Sequence, residues 1–183
     1  MSGVPGVDVP KVANWLETNV VGATGPFHFD MIAGGHSNMT FKVTGSDGAR
    51  FVLRRPPLGH VLASAHDMGR EHRIISALRD TDVPVAPAVG FCDDISVNGS
   101  PFYVMSFVDG LVLRDRSETE SRLTPAARQL ASESLVDTMA AIHAIDPASV
   151  GLGDLGRHDG YIARKLKRWY SQWNQQKTRE LPA

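Results

Sequence analysis

Residues 32–41 read IAGGHSNMTF and place two glycines, a histidine, a serine and an asparagine between apolar residues. Strand-like patterns lie on both sides, since residues 27–32 partly alternate and Met39, Phe41 and Val43 alternate with polar residues. Glycine and asparagine tolerate a positive φ, so the segment fits a surface hairpin turn. Such a turn can also expose backbone N–H groups that cradle a phosphate. The turn alone is compatible with both interpretations.

Glu71 is a carboxylate at an unusual position in the helix predicted after the third strand. It lies three residues from Met68 and Ile74 and four from Ile75, near the middle of the apolar face. A carboxylate there is costly unless it is paired. Periodicity alone is equally compatible with a glutamate at the edge of that face, with its carboxylate in solvent.

A cation that could pair with the Glu71 carboxylate lies in the predicted strand RFVLRR, residues 50–55. Alternation places Phe51, Leu53 and Arg55 on one face of the strand and Val52 with Arg54 on the other. One arginine must therefore share a face with apolar neighbours. A strand cation facing an anion on the next helix is a physically coherent ion pair.

The elements that position these residues follow the order helix, three strands, helix, two strands and then helices only. The first helix is expected to be capped by Asp8, and the second to run from the segment after Gly59 to about Arg79. Later helices are expected from Thr124 to Ile145 and from about Tyr161 to Gln176. The strands are expected at residues 27–33, 39–44, 50–55, 88–92 and 101–107. This order indicates an α+β fold, a sheet lobe joined to a helical lobe near residues 108–110.

Composition narrows the class of protein. A net charge of -1 over 183 residues gives no global field that draws the chain to nucleic acid or a membrane. The single cysteine, Cys92, excludes an internal disulfide and lies in an apolar run, so we expect it to be buried. The N-terminus lacks the pattern of a secretory leader, and no stretch has membrane-spanning length. These features predict a cytoplasmic protein.

Five sequence motifs occur in the following order along the chain: GGHSNMTFKV, FVLRRPPLG, SAHDMGREHRIISAL, VPVAPAVGFCDD and GSPFYVMSFVDG. With them, residues 32–110 resemble the aminoglycoside phosphotransferase and choline kinase group of kinase-like enzymes, in particular the phosphotransferase-like domains fused to some acyl-CoA dehydrogenases. The resemblance continues through TMAAIHAID and DGYIARKLKRWYSQW. It implies a protein-kinase-like N-lobe at residues 1–107, built from an antiparallel sheet and a helix. Residues 108–183 would then form a hinge and the first helices of a truncated helical C-lobe.

The resemblance also implies a site. The loop at 34–38 would cover phosphates, Arg54 would replace the family's phosphate-gripping lysine, and Glu71 would be its helix partner, with Arg55 the alternative if the register differs by one. Met105 would lie behind the adenine, whose edge would meet the carbonyl of Ser106 and the N–H of Val108. The implied nucleotide-binding residues are Gly34, Gly35, His36, Ser37, Asn38, Val52, Arg54, Glu71, Met105, Ser106, Phe107 and Val108.

The catalytic half of such an enzyme is not found in this sequence. The family's His-Gly-Asp-x-x-x-x-Asn loop and later aspartate do not occur, and the string at 157–160 has Arg164 five positions after Asp159. We therefore expect a fragment that holds ATP but carries no catalytic residue and no metal ligand, with Mg²⁺ bound by residues outside it. The open alternative is a non-catalytic nucleotide-binding or interaction module.

Two further patterns are rejected as sites. GLGDLG at 151–156 matches a dinucleotide fingerprint but does not follow a predicted strand. The basic residues of the last helix lie opposite an apolar stripe that includes Leu166, Trp169 and Trp173, so a solvated face is favoured over nucleic-acid binding. We expect a small-molecule substrate, no nucleic-acid or membrane partner, and self-association if the stripe stays exposed. Aminoglycoside, choline-like amine, sugar and hydroxyacyl thioester acceptors all stay open, as does ATP versus GTP.

Overall fold

The computed structural model of the protein describes residues 3–32, 38–59, 66–156 and 159–176. The chain divides into two compact units, residues 1–145 and 146–183. The first unit contains α1 (Val9–Asn19), β1 (His28–Met31), β2 (Met39–Thr44), β3 (Arg50–Arg55), α2 (Met68–Ala77), β4 (Ala88–Cys92), α3 (Ile95–Asn98), β5 (Phe102–Ser106), α4 (Arg116–Arg122) and α5 (Pro125–Ala144). The second contains α6 (Tyr161–Gln176). The predicted lobe boundary at 107/108 stays a prediction.

One five-stranded sheet organises the first unit. Its strands follow the order β1-β2-β3-β5-β4, and all neighbours are antiparallel. The predicted α+β fold and its antiparallel sheet are confirmed. A hairpin connection explains why β2 and β3 are neighbours, because a short turn joins strands that run in opposite directions.

The hydrophobic core lies between one face of this sheet and α1. Phe41, Phe51 and Leu53 point to this face and are buried. From α1, Val12 and Leu16 complete the same cluster and are fully buried. Strict alternation in β2 and β3 sends every second side chain into this core, so the intervening residues must face the other side of the sheet.

Side-chain caps set where the helices begin. Asp8 accepts the N–H of Lys11 at the start of α1, and Thr124 accepts the N–H of Ala127 at the start of α5, as the sequence predicts. The predicted second helix is corrected at its start: α2 begins at Met68, since Asp67 accepts the N–H of Arg70 and caps it there. Residues 60–65 lie outside the described part of the chain.

Two short helices, α3 and α4, are absent from the sequence prediction. Asp94 and Asp115 cap them by accepting the N–H groups of Ser96 and Glu118. Each is too short for a clear 3.6-residue period, and each lies in a polar, turn-rich stretch, so periodicity could not reveal it. Cys92 is buried, as predicted.

Apolar side chains of α6 are exposed along one stripe. Ile162, Leu166, Trp169 and Trp173 each keep more than half of their surface in solvent. His143 shares a helix face with Met139 and Ile142 in the sequence, which favours a core histidine over a catalytic one; in α5 it is instead exposed. None of the helices in the described ranges has both the length and the apolar character needed to cross a lipid bilayer.

Candidate functional site

The site lies on the face of the sheet opposite the core. Strand register aligns Lys42, Val52 and Met105 across β2, β3 and β5, and aligns Arg54 and Tyr103 in the next row. Side chains at paired positions stand on the same face of a sheet. A row that is mainly apolar therefore lies beside a row that carries a cation and a phenol.

Arg54 forms an ion pair with Glu71 of α2. The Nε of Arg54 donates to Oε2 of Glu71 at 2.9 Å, and the two side chains are 33% and 28% exposed. The carboxylate on the apolar face of α2 is therefore paired, as the family resemblance implied, and the pair is only partly shielded from water. The structure assigns this pairing to Arg54 and not to Arg55.

Both carboxylate oxygens of Glu71 are occupied. Oε2 also accepts the hydroxyl of Tyr103 at 3.2 Å, and Oε1 accepts Nδ2 of Asn38 at 2.8 Å. Since an ionised carboxylate only accepts, the amide nitrogen of Asn38 must face Glu71 and its oxygen must face Nδ1 of His66, 2.6 Å away. His66 therefore donates from Nδ1. Four elements of the chain thus meet at one carboxylate.

Tyr103 is 2% exposed, although its hydroxyl reaches Glu71. Burial raises the pKa of the Tyr103 phenol well above its usual range, and the nearby Glu71 carboxylate raises it further. The phenol is therefore a permanent hydrogen-bond donor at physiological pH.

Arg55 has a different environment on the core side of the sheet. It is 6% exposed, and its guanidinium donates to the carbonyls of Pro56, Gly6 and Asn98. Burial lowers the pKa of its guanidinium, which nevertheless stays charged because the usual value is far above neutrality. Arg55 ties three chain segments together and does not face the site.

A cleft of about 520 Å³ lies on the site face next to the Arg54 row. Five residues that the resemblance implied for the base pocket line it together: Val52, Met105, Ser106, Phe107 and Val108. Val52 forms a buried apolar part of the cleft wall, and Met105 is its register partner. The cleft is thus lined mainly by apolar residues and lies beside the row that carries Arg54.

The end of β5 and the segment after it border this cleft and are held at three points, one of them the Phe107 N–H that donates to the carbonyl of Arg50 at 3.3 Å. Ser106 N–H donates to the carbonyl of Pro87 at 2.8 Å, and both terminal nitrogens of Arg50 donate to the carboxylate of Asp109 at 2.7 and 2.5 Å. That guanidinium also lies over the ring of Phe107, 4.9 Å from its centroid, and it lowers the pKa of the Asp109 carboxyl. Val108 is exposed, and within the described ranges its N–H has no acceptor.

A hollow of about 570 Å³ lies elsewhere, along residues 55–59 and 99–101. Its walls include Arg55, whose donors already serve backbone carbonyls. We assign no site to it.

Several residues of the site were not predicted. Lys42 and Asp30 line the cleft and form an ion pair at 3.2 Å. Alternation in β2 places Lys42 on the face of the sheet away from Phe41 and Val43, so the sequence pattern could have predicted that Lys42 lies on the site face. Tyr103 gave no such signal, because a tyrosine in an apolar strand is typical of a core position.

Four implied residues, Gly34, Gly35, His36 and Ser37, lie outside the described part of the chain. Asn38, the last residue of the implied loop, is buried and bound to Glu71. Within the described ranges, no group of three or more histidine, cysteine, aspartate or glutamate side chains is placed to hold a metal ion.

Comparison with known proteins adds an independent line of evidence. Residues 28–183 match the model of the phosphotransferase enzyme family, APH. The chain is 33% identical to acyl-CoA dehydrogenase family member 10 of Mus musculus over 161 residues, which are 88% of this chain and 15% of that protein. It is 37% identical to acyl-CoA dehydrogenase family member 11 of Gallus gallus over 149 residues, 81% of this chain and 19% of that protein. The chain thus spans less than a fifth of these relatives.

A solved structure agrees with the sequence matches. The fold superposes with a TM-score of 0.74 on the crystal structure of a Ralstonia eutropha protein described as an aminoglycoside phosphotransferase. The two are 35% identical, and the match covers 96% of this chain and 50% of that protein. The antiparallel sheet with its helix therefore matches the N-terminal lobe of a kinase-like fold, and the chain belongs to the phosphotransferase enzyme family.

Proposed function

We propose that this chain is the nucleotide-binding part of an ATP-dependent phosphotransferase that acts on a hydroxyl group of a small molecule. The observation that carries the proposal is the Arg54–Glu71 ion pair beside an apolar cleft. Family membership makes phosphoryl transfer the expected chemistry. The pair and the cleft supply the two things a nucleotide needs, a cation for phosphate and an apolar slot for a base.

The base would lie in the cleft between Val52 and the segment after β5. Val52 and Met105 offer apolar contact, and the Val108 N–H, which has no acceptor in the described ranges, offers a hydrogen bond to the base edge. Ligand pockets in proteins combine a mainly apolar lining with a few placed polar groups. The cleft has this composition.

The phosphates would lie against Arg54. Its Nε is used by Glu71, and its terminal nitrogens have no acceptor among the residues that the structure describes. A guanidinium can bind a carboxylate with one edge and a phosphate with another, whereas an ammonium offers one point charge. Arginine can therefore replace the family's lysine at this position without giving up either partner.

Phosphoryl transfer also requires a group that orients the acceptor hydroxyl and ligands for Mg²⁺. The sequence of this chain has no His-Gly-Asp-x-x-x-x-Asn loop. We therefore propose that the chain binds Mg·ATP and that transfer requires residues outside it. The buried free thiol of Cys92 fits the proposed cytoplasmic location, because a reducing compartment keeps thiols unpaired.

A calorimetric titration of the chain with Mg·ATP tests the proposal. We expect saturable binding that Arg54→Ala weakens, together with a melting temperature that rises with ATP concentration, since the ligand binds the native state only. Absence of any nucleotide effect on the wild-type chain would overturn it. Phosphorylation of an acceptor by the chain alone, surviving Glu71→Ala, would overturn the view that catalysis lies elsewhere.

A non-catalytic nucleotide-binding module is the second candidate, favoured by the missing catalytic loop. Both candidates predict ATP binding. They differ in the coding sequence after Ala183: a His-Gly-Asp loop and a later aspartate would support the enzyme, and a stop codon would support the module.

A further inference from the structure

We propose that Tyr103 is a positioning residue, whose hydroxyl fixes the Glu71 carboxylate so that Glu71 orients Arg54 toward the nucleotide phosphates. This inference rests on the proposed function and goes beyond it. Tyr103 is not among the described residues that line the cleft. It would act only through Glu71.

The geometry behind this proposal is a triangle of side chains. Arg54 and Tyr103 are register partners on β3 and β5, and both reach the same oxygen, Oε2 of Glu71, at 2.9 and 3.2 Å. Asn38 holds the other oxygen at 2.8 Å. A carboxylate gripped from three directions cannot rotate to an alternative rotamer without losing at least one charge-assisted hydrogen bond.

Tyr103 is itself held firmly. Its ring is buried, and the ring centroid lies 6.3 Å from that of His72. Phe91 of β4 is the register partner of Tyr103. His72 and Phe91 are stacked with ring centroids 5.3 Å apart, so the Tyr103 ring lies beside an aromatic pair. A donor on a buried, packed ring gives its acceptor a well-defined location.

The Tyr103–Glu71 contact also affects the orientation of the two terminal nitrogens of Arg54. Because a guanidinium is planar, fixing Nε against Glu71 also fixes the direction of the two terminal nitrogens. These nitrogens have no acceptor within the described ranges, and they are the donors that would reach phosphate. Loss of the Tyr103 hydroxyl should therefore loosen the phosphate grip and leave the base pocket intact.

A purely structural role is the competing explanation: a buried phenol needs an acceptor, and in this explanation Glu71 serves only as that acceptor. The two explanations differ in which ligand they affect. A positioning role changes the affinity for phosphate-bearing nucleotides only. A structural role changes stability and affects adenosine and ATP alike.

The experiment measures the Kd of Mg·ATP and of adenosine for the wild-type chain and for Tyr103→Phe, which removes one oxygen and keeps the ring. We expect Mg·ATP to bind about threefold to tenfold more weakly and adenosine to bind within about twofold of wild type. The matched control is Tyr170→Phe on α6, whose ring is exposed, and it should change neither Kd. Thermal melts of each variant report folding separately.

A double-mutant cycle with Glu71→Gln gives the decisive readout. If Tyr103 acts through Glu71, adding Tyr103→Phe to Glu71→Gln should weaken Mg·ATP binding by clearly less than in the wild-type background. Equal losses in both backgrounds, or equal losses for adenosine and Mg·ATP, would overturn the inference. If the wild-type chain binds neither ligand, the proposed function fails; if Tyr103→Phe binds Mg·ATP as tightly as wild type, only this inference fails.

Discussion

Arg54 and Arg55 are neighbours in β3, yet they point to opposite faces of the sheet and have different partners. Arg54 pairs with the carboxylate of Glu71 on the site face, whereas Arg55 is buried and binds the backbone carbonyls of Gly6, Pro56 and Asn98. The alternation of a strand thus separates a proposed ligand-binding cation from a structural one. Substitutions at the two positions should give opposite phenotypes.

Arg54→Ala should weaken Mg·ATP binding by roughly 10- to 100-fold, because it removes a charged donor to phosphate. Its effect on the melting temperature should be small, since the Arg54–Glu71 pair is partly exposed and screened by solvent. Calorimetry and a thermal melt on the same sample check both parts. Arg54→Lys keeps the charge without the fork and should fall between the two. An Arg54→Ala chain that binds Mg·ATP like wild type would contradict this role.

Arg55→Met should destabilise the fold by about 2–3 kcal/mol, because it leaves buried carbonyls without a donor while keeping the apolar stem. The folded fraction should keep its affinity for Mg·ATP. Urea unfolding measures the loss of stability, and a titration with Mg·ATP at urea concentrations below the unfolding transition measures the affinity of the folded chain. A stable Arg55→Met chain that has lost ATP binding would show that the roles of the two arginines are reversed.

Val52→Phe should weaken adenosine and Mg·ATP together, by about tenfold or more, because the larger ring enters the cleft where the base would lie. This pattern differs from that of Arg54→Ala, which should affect Mg·ATP far more than adenosine. Competition titrations with both ligands distinguish the two. Unchanged adenosine binding in Val52→Phe would place the base outside this cleft.

Gly90→Ala should destabilise the fold by about 1–3 kcal/mol. A Cβ on Gly90 would lie 2.9 Å from Cη2 of Trp15, whose ring packs edge-on against Phe102 with centroids 4.9 Å apart and so has little freedom to move. Chemical denaturation measures the loss. Gly110→Ala is the control, since no described atom lies within 4 Å of its added Cβ. Equal stability of the two variants would contradict the packing described for α1.

His72 predicts a pH dependence of stability. Burial lowers the pKa of its imidazole below the usual 6.5, so the folded state keeps His72 neutral where the unfolded chain already binds a proton. This contribution to stability is therefore fully present above pH 6.5 and is lost as the pH falls from there to the lower folded value. Melts from about pH 8 to about pH 5 should show a smaller decline in His72→Phe than in wild type. The exposed His143→Gln should decline like wild type, and a His72→Phe profile identical to wild type would contradict the prediction.

The sequence was sufficient where two independent patterns agreed. Strand alternation put Arg54 and Arg55 on opposite faces, helix periodicity put Glu71 near the middle of an apolar face, and the family resemblance paired Glu71 with Arg54. The family resemblance implied the antiparallel sheet, and the sequence GSDG at residues 45–48 carries a hairpin signal that agrees with it. These features depend on local periodicity, which a single sequence carries.

The rest of the site depends on how elements dock. The hydroxyl of Tyr103 meets Glu71 only because α2 lies against β4 and β5, and no local pattern encodes that placement. Asn38 was assigned to a phosphate loop, whereas its side chain binds Glu71. The start of α2 is set by Asp67, which caps the helix. Several polar residues nearby could also serve as a cap, so the sequence alone does not single out Asp67.

The most direct test of the central claim is the Kd of Mg·ATP measured by calorimetry for the wild-type chain, Arg54→Ala and Arg55→Met under one set of conditions in which all three are folded. We predict saturable binding by the wild type, a loss of roughly 10- to 100-fold in Arg54→Ala, and an unchanged Kd in Arg55→Met. Equal affinities in all three chains, or no binding by the wild type, would contradict the claim that Arg54 grips a nucleotide phosphate.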